Sequence, residues 1–328
     1  MAGCIGYQAV NQRRISPVNI ERSVRDIDPV FTHTPQFECD ALSNNFGCRV
    51  TLKVETLNPI RSFKGRGADF FFRENRTMLS SRQVVCATAG NFGQAVAYAA
   101  ARNGIRPIVF CATNANPLKV KRMQQLGADV RQVGENFDAA KVAAKEFCAV
   151  HDAYFVEDGK DVAISEGAGS MAVELMSGCE LDAVLVPLGN GALINGVGTW
   201  IKHVRPATKV IGVSSVRADA MEASWRSGSF IERESADTIA DGIAVRTPVP
   251  EALDDMKGIV DDVVLVTEDS ILDAMRTLFV SSGIVGEPAG VAGLAALVEH
   301  HDLRVGRVGT IVCGSNLTER QMRDWLLA

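Results

Sequence analysis

Lys64 stands where neither solubility nor helix propensity asks for a lysine. It lies in RSFKGRGADFFF (61–72), between Phe63 and the Gly65-Arg66-Gly67 triplet and just before an aromatic run. Taken alone, such a residue reads as a surface lysine; in apolar, glycine-flanked surroundings an amine suits Schiff-base chemistry with a carbonyl. Two glycine turns give it company. TAGNFGQA (88–95) follows a strand pattern and opens a helical one, so its backbone amides stand at a helix N-terminus, where a carboxylate or phosphate binds. The same turn reads equally as a capped helix packed closely through its glycines. PLGNGALINGVG (187–198) has the same strand-to-helix placement, with Gly189 and Gly191 letting the backbone wrap a phosphate. It lacks the Lys-Ser/Thr ending of a nucleoside-triphosphate loop. Its glycines are wrongly spaced for GxGxxG, and no acidic residue closes the strand KVIGVSS to hold a ribose. A cofactor with one phosphate and one aldehyde, acting on a carboxylate-bearing substrate, needs such a set: one cradle for the phosphate, one for the substrate carboxylate, and an amine.

The elements that must position these groups alternate. QVVCA precedes NFGQAVAYAAARNG, PIVFCA precedes PLKVKRMQQLG, and ADVRQV precedes FDAAKVAAKEFCAV. β-Branched runs followed by alanine-rich helical patterns read as βαβ units on a parallel sheet. A second series runs AVLVPL, KVIGVSS, DDVVLVT and VGTIVCG, the last after the helix AGVAGLAALVEHH. The polar, glycine-bearing EDGKD (157–161) separates the two series and reads as a boundary. The first strands, near VFTHTPQF and CRVTLKVET, have no βαβ partner between them and are assigned to the second series. The expectation is a discontinuous large domain, residues 1–80 and 160–328, into which a small α/β domain, residues 81–159, is inserted.

Composition narrows the classes. The 328 residues are 47% hydrophobic and 22% charged, with a net charge of −5 spread without a basic block, which argues against a nucleic-acid partner. The start, MAGCIGYQAVNQRR, has no secretory pattern, and the longest apolar stretch, AVLVPLGNGALINGVGTWI, is too rich in Asn and Gly for a membrane span. None of the eight cysteines forms a CxxC pair, and Cys86, Cys111 and Cys148 sit in apolar runs, so a reducing cytoplasm is expected. The five histidines show no metal-ligand spacing, and His300-His301 reads as a solvated helix end.

Five segments, LKVETLNPIRSFKGRGA, TAGNFGQAVAYAA, PLGNGALINGVG, TIADGIAVRTP and IVCGSN, follow one another over nearly the whole chain. Together they resemble the fold type II pyridoxal-phosphate enzymes, and within these the serine/threonine dehydratase branch, which also holds serine racemases. The resemblance implies a two-domain α/β fold like that of the tryptophan synthase beta chain, with parallel sheets flanked by helices. It implies pyridoxal 5'-phosphate as the cofactor. Lys64 would then carry the Schiff base and shuttle the α-proton, with Phe63 packed on the cofactor ring. The small neighbours would let the linkage swing, and an apolar pocket would lower the lysine pKa to free a neutral amine. Asn91 would bind the cofactor 3'-oxygen, and Gly189, Asn190, Gly191, Ala192 and Leu193 would cup the phosphate. Ser62, Thr88, Ala89 and Phe92 fall where the family holds the substrate carboxylate; Phe92 replaces the usual His or Ala, which bears on substrate size. Cys313 falls at the partner of the pyridine nitrogen, or is simply a buried strand thiol. With a reference pKa of about 8.5 a thiol leaves that nitrogen largely unprotonated, a weaker electron sink that favours prompt loss of a β-hydroxyl. Glu287 either faces the cofactor or caps the helix that starts at Pro288.

The implied activity is removal of the α-proton and β-hydroxyl of L-threonine or L-serine, giving a 2-oxo acid and ammonia. β-Replacement, as in cysteine synthases, shares the fold, and TIADGIAVRTP favours the dehydratase. A lyase for 3-hydroxyaspartate or 2,3-diaminopropionate stays open because Arg61 adjoins the lysine segment. Racemases place a serine where this chain has Ala89, whose methyl moves no proton. They also bind a cation through two carboxylates where Ser214 and Ala220 stand here, with Asp219 adjoining, so no metal site is expected. A cofactor-binding protein without turnover would have lost Lys64. The family implies a homo-oligomer, a dimer being expected. The chain ends 15 residues beyond Cys313, from which no appended regulatory module is expected.

Overall fold

The computed structural model describes residues 13–88 and 90–327. The N-terminal stretch 1–12, which bears on the leader reading, and Ala89, expected beside the substrate, lie outside the described residues. The strands are β1 (Gln36–Glu38), β2 (Arg49–Val54), β3 (Val84–Ala87), β4 (Ile108–Cys111), β5 (Asp129–Gln132), β6 (Tyr154–Val156), β7 (Ala183–Pro187), β8 (Lys209–Ser215), β9 (Asp262–Val266) and β10 (Arg307–Val312). They form a six-stranded sheet in the order β1-β2-β10-β7-β8-β9 and a four-stranded sheet in the order β5-β4-β3-β6. All neighbours are parallel except β1 and β2. Helices cover the sheets, which is why β3, β4 and β7 are apolar and buried along their whole length. No helix among the described residues is long and apolar enough to cross a membrane.

The helix Lys64–Glu74 crosses the helix Val162–Gly178 at close range, and the sequence permits this through its glycines. A Cβ on Gly67 would stand 2.6 Å from the Ile164 carbonyl oxygen, and one on Gly65 would stand 2.2 Å from the Phe31 ring. The glycines that flank Lys64 and Arg66 thus answer to packing, where the resemblance gave them room for a swinging linkage.

Between them, Arg66 is fully buried. Its guanidinium donates to both oxygens of Glu55 (2.7 and 2.9 Å) and both of Glu174 (2.8 and 3.0 Å), and also to Ser170 and Thr34. Lys53 Nζ donates to Glu174 at 2.5 Å and to the Thr34 carbonyl at 2.8 Å. Burial pushes the Glu174 carboxyl up, but Arg66 and Lys53 outweigh it and hold it down at about 2. Two cations and two carboxylates therefore balance beneath the first turn of the lysine helix, each satisfied by paired hydrogen bonds.

Candidate active site

The residues that converge follow the carboxyl ends of parallel strands, where open α/β sheets place their ligands. The segment after β3 brings Thr88, Gly90, Asn91 and Phe92; that after β7 brings Gly189, Asn190, Gly191, Ala192 and Leu193. The end of β10 brings Cys313, and the loop after β6 brings Glu157 and Asp158. All of these line one cavity with Phe63 and Lys64.

Lys64 is the first residue of its helix. Its Nζ lies 4.7 Å from the centre of the Phe63 ring and 5.9 Å from that of Phe92. The expected apolar surroundings are only part of the picture. Asp158 Oδ2 accepts from the amine at 2.5 Å, so the lysine faces a carboxylate. Asp158 belongs to the EDGKD segment, which reads in sequence as a polar domain boundary. Glu157 and Asp158 are in fact buried, because Lys141 (2.6 Å) and Lys145 (3.2 Å) neutralise Glu157 and Lys64 neutralises Asp158.

Ser62 is not part of the cavity lining. It is fully buried, and its hydroxyl donates to the Cys313 carbonyl at 3.3 Å while the Phe63 amide donates to the same oxygen at 3.0 Å. This strap fixes the lysine segment against β10 and leaves no face of Ser62 for a substrate. Thr88 is also occupied: its Oγ1 accepts from the amides of Gly90 (2.8 Å) and Gly93 (3.1 Å). The helices after β3 and β7 each begin at a glycine in a conformation that L side chains rarely adopt, Gly90 at φ 151° and Gly191 at φ 92°. At Gly90 a Cβ would also meet the Lys119 side chain at 2.1 Å.

Asn91 is held from two sides. Its Nδ2 donates to Glu287 Oε1, and its Oδ1 accepts from Asn316 Nδ2 at 2.9 Å. Glu287 Oε2 accepts from the Asn316 amide at 2.8 Å, so its carboxylate reaches across to the asparagine turn and makes no cap for the Pro288–Val291 turn. Burial pushes the Glu287 carboxyl above its usual range. Lys119 is buried beside it at 4.0 Å and pairs more closely with Asp241, at 2.6 Å. Burial works to lower the Lys119 pKa, but Glu287 and Asp241 outweigh it and raise it. The Cys313 thiol points to the Ala289 carbonyl at 3.7 Å, and burial pushes it up to about 12, so it is neutral.

Sequence reasoning missed Lys119, Asp241, Glu157, Asp158 and Asn316. Lys119 carried a local signal, since it shares a helix face with the buried Met123, where a lysine is out of place, and Asp241 and Asn316 lie in the segments TIADGIAVRTP and IVCGSN that carry the resemblance. Arg61, which kept a second substrate carboxylate open in the sequence, is exposed and lies outside the cavity lining. Asp219 is gripped at both oxygens by Arg233 (2.8 and 2.7 Å), away from the cavity.

These features define an α/β enzyme that holds an anionic, carbonyl-bearing cofactor at its strand ends beside an amine. The chain matches the model of the family described as "Pyridoxal-phosphate dependent enzyme" over residues 27–314 and belongs to that family. It is 31% identical over 312 residues to the biosynthetic L-threonine dehydratase of Bacillus subtilis, covering 93% of this chain and 74% of that protein. It is 34% identical over 300 residues to the L-threonine ammonia-lyase of Thermotoga maritima, covering 91% and 75%. Among solved structures, the processed threonine deaminase isoform 2 of Solanum lycopersicum superposes with a TM-score of 0.85 at 27% identity, covering 97% of this chain and 91% of that one. The fold expected from the sequence is therefore the fold found, and the cofactor is pyridoxal phosphate.

The cavity fits that cofactor. The Lys64 amine could take an aldehyde, the glycine-opened start of the Ala192–Val204 helix would suit a phosphate, and the buried Cys313 thiol would suit a ring nitrogen that carries no proton.

Proposed function

We propose that this protein is an ammonia-lyase that converts L-threonine or L-serine to the 2-oxo acid and ammonia. The observation that carries the reading is the placement of Lys64 Nζ on a cavity entered by two helix N-termini, those after β3 and β7. The dehydratase and ammonia-lyase relatives support it. In this reading Gly189, Asn190, Gly191, Ala192 and Leu193 hold the phosphate through backbone amides at the positive end of their helix. Asn91, its orientation fixed by Glu287 and Asn316, would hold the 3'-oxygen through its Nδ2. Phe63 would pack on the ring. The start of the helix at Asn91 and Phe92, next to the Gly90 amide tied by Thr88 Oγ1, would face the substrate carboxylate, and Phe92 limits the space beside it. The Cys313 thiol keeps its proton at neutral pH and so gives none to the ring nitrogen.

Bound there, the cofactor supplies an electron sink for bond cleavage at the α-carbon. Lys64 Nζ takes the α-proton, and the β-hydroxyl leaves with a proton as water. The enamine then takes up water to give the 2-oxo acid and ammonia. Phe63, Phe92, Phe137 and Phe155 line the cavity and limit the access of bulk water.

We also infer that the four-stranded sheet and its helices form a small domain, residues 81–159, and that the protein acts in the cytoplasm as a dimer. The seven described cysteines, all free and five of them buried, support a reducing compartment. The test of function is direct: cofactor-loaded protein should release 2-oxobutanoate and ammonia in equal amounts from L-threonine. Formation of neither 2-oxobutanoate from L-threonine nor pyruvate from L-serine would remove the proposal.

A further inference from the structure

Resting on the placement of Asn91 beside the cofactor in the reading above, we propose that Arg122, outside the cavity lining, is a positioning residue: it fixes the side-chain amide of Asn316 and through it aims Asn91 Nδ2 at the cofactor's 3'-oxygen. Arg122 stands on the helix Pro117–Gln125, one turn beyond Lys119. It is half-buried, and its guanidinium donates to Asn316 Oδ1. Burial and the nearby Arg61 both push its pKa down, and no carboxylate among the described residues offsets them. An arginine kept for solubility or for a surface ion pair would not be placed there.

Polarity explains what it does. An asparagine amide has a donor end and an acceptor end of nearly the same shape, so a neighbour of fixed polarity must orient it. Arg122 can only donate, and it claims Asn316 Oδ1. The two N–H groups of Asn316 Nδ2 then find acceptors in Asn91 Oδ1 at 2.9 Å and the Ile60 carbonyl at 2.8 Å. With its oxygen taken, Asn91 turns Nδ2 toward Glu287 and the cavity that both residues line.

Asn316 is 1% exposed, and Arg122 is the one donor that reaches its Oδ1 among the described residues. Without Arg122 that oxygen is buried and unpaired, which is costly, and the hold on Asn91 loosens. Arg122 makes no hydrogen bond to Asn91, so the coupling runs through Asn316.

The test is the equilibrium Kd for pyridoxal phosphate, with the visible absorbance band of the bound cofactor, in wild type, Arg122→Met, Arg122→Lys, Asn91→Ala and the Arg122→Met/Asn91→Ala double variant. Arg122→Met should raise the Kd by about tenfold and shift the band in the same direction as Asn91→Ala does. Arg122→Lys, which keeps a donor-only cation, should restore most of the affinity. On the Asn91→Ala background, Arg122→Met should add less than about twofold, because the residue it positions is gone. Arg122→Ala removes the same donor and takes the place of the methionine variant if that one does not fold. Additive effects would overturn the proposal. So would an Arg122→Met protein that melts earlier yet keeps the Kd and band of the wild type, which would mark a structural residue only. If Asn91→Ala loosens the cofactor and Arg122→Met does not, the placement of Asn91 stands and the role of Arg122 falls. If Asn91→Ala changes neither Kd nor band, that placement fails and this proposal with it. The ammonia-lyase reading is judged apart from all of these, by 2-oxobutanoate release from L-threonine.

Discussion

Replacing Glu174 by glutamine tests whether the buried charge cluster under the Lys64 helix holds the fold together. The change removes one of two carboxylates that balance Arg66 and Lys53, and both cations are buried. Glu174 loses its proton far more readily in the fold, at about 2, than a free glutamate does at about 4.3. At 1.36 kcal/mol per unit, that difference corresponds to about 3 kcal/mol of stability at neutral pH. Removing one partner of a buried pair costs about 3–5 kcal/mol in general, so two independent routes agree. Because the folded-state value is depressed, this contribution is complete above about pH 4.3 and is lost as the pH falls toward 2. Glu174→Gln should therefore lower the melting temperature by about 6 °C or more at pH 7, taking about 2 °C per kcal/mol at this size. The gap to the wild type should narrow below pH 4. Adding Lys53→Met removes the surplus cation and should restore more than half of the loss. A drop worth under about 1 kcal/mol, or strictly additive effects in the double variant, would refute the reasoning.

Lys64→Ala should cut turnover by at least about 10³-fold while the fold is kept, and borohydride should no longer fix the cofactor on the 61–72 peptide; a label on another lysine would displace Lys64 from its role. Gly67→Ala should destabilise by about 1–3 kcal/mol in urea titration, because the added Cβ would sit 2.6 Å from the Ile164 carbonyl oxygen and force the two helices apart. Unchanged stability would show that the crossing is looser than described. Cys313, pushed up to about 12 by burial, should resist iodoacetamide at pH 8, since only the thiolate reacts. Peptide mapping that finds it alkylated as fast as free cysteine would contradict the neutral buried thiol.

Local pattern determined much of this protein. The alternation of β-branched runs with alanine-rich helices, and the glycines at the turns after β3 and β7, are constraints that a short segment satisfies by itself, so β3, β4 and β7 and the helices after them were legible. The turn before Asn91 and the 189–193 turn were legible for the same reason, since Gly90 and Gly191 take positive φ there, whereas Lys64 was marked only by its apolar, glycine-flanked neighbours. Other features exist only once distant strand ends meet. Asp158 follows β6 and Lys64 follows β2, and nothing near either residue says that their side chains share a hydrogen bond. Glu287, Asn316 and Asn91 are likewise joined across both sheets. Because a charge can be buried only where an opposite charge is also brought, the segment EDGKD reads in sequence as a polar boundary, yet in the fold its Glu157 and Asp158 line the cavity. Arg66 behaves in the same way. Its burial depends on Glu55 and Glu174, which only the tertiary structure places beside it.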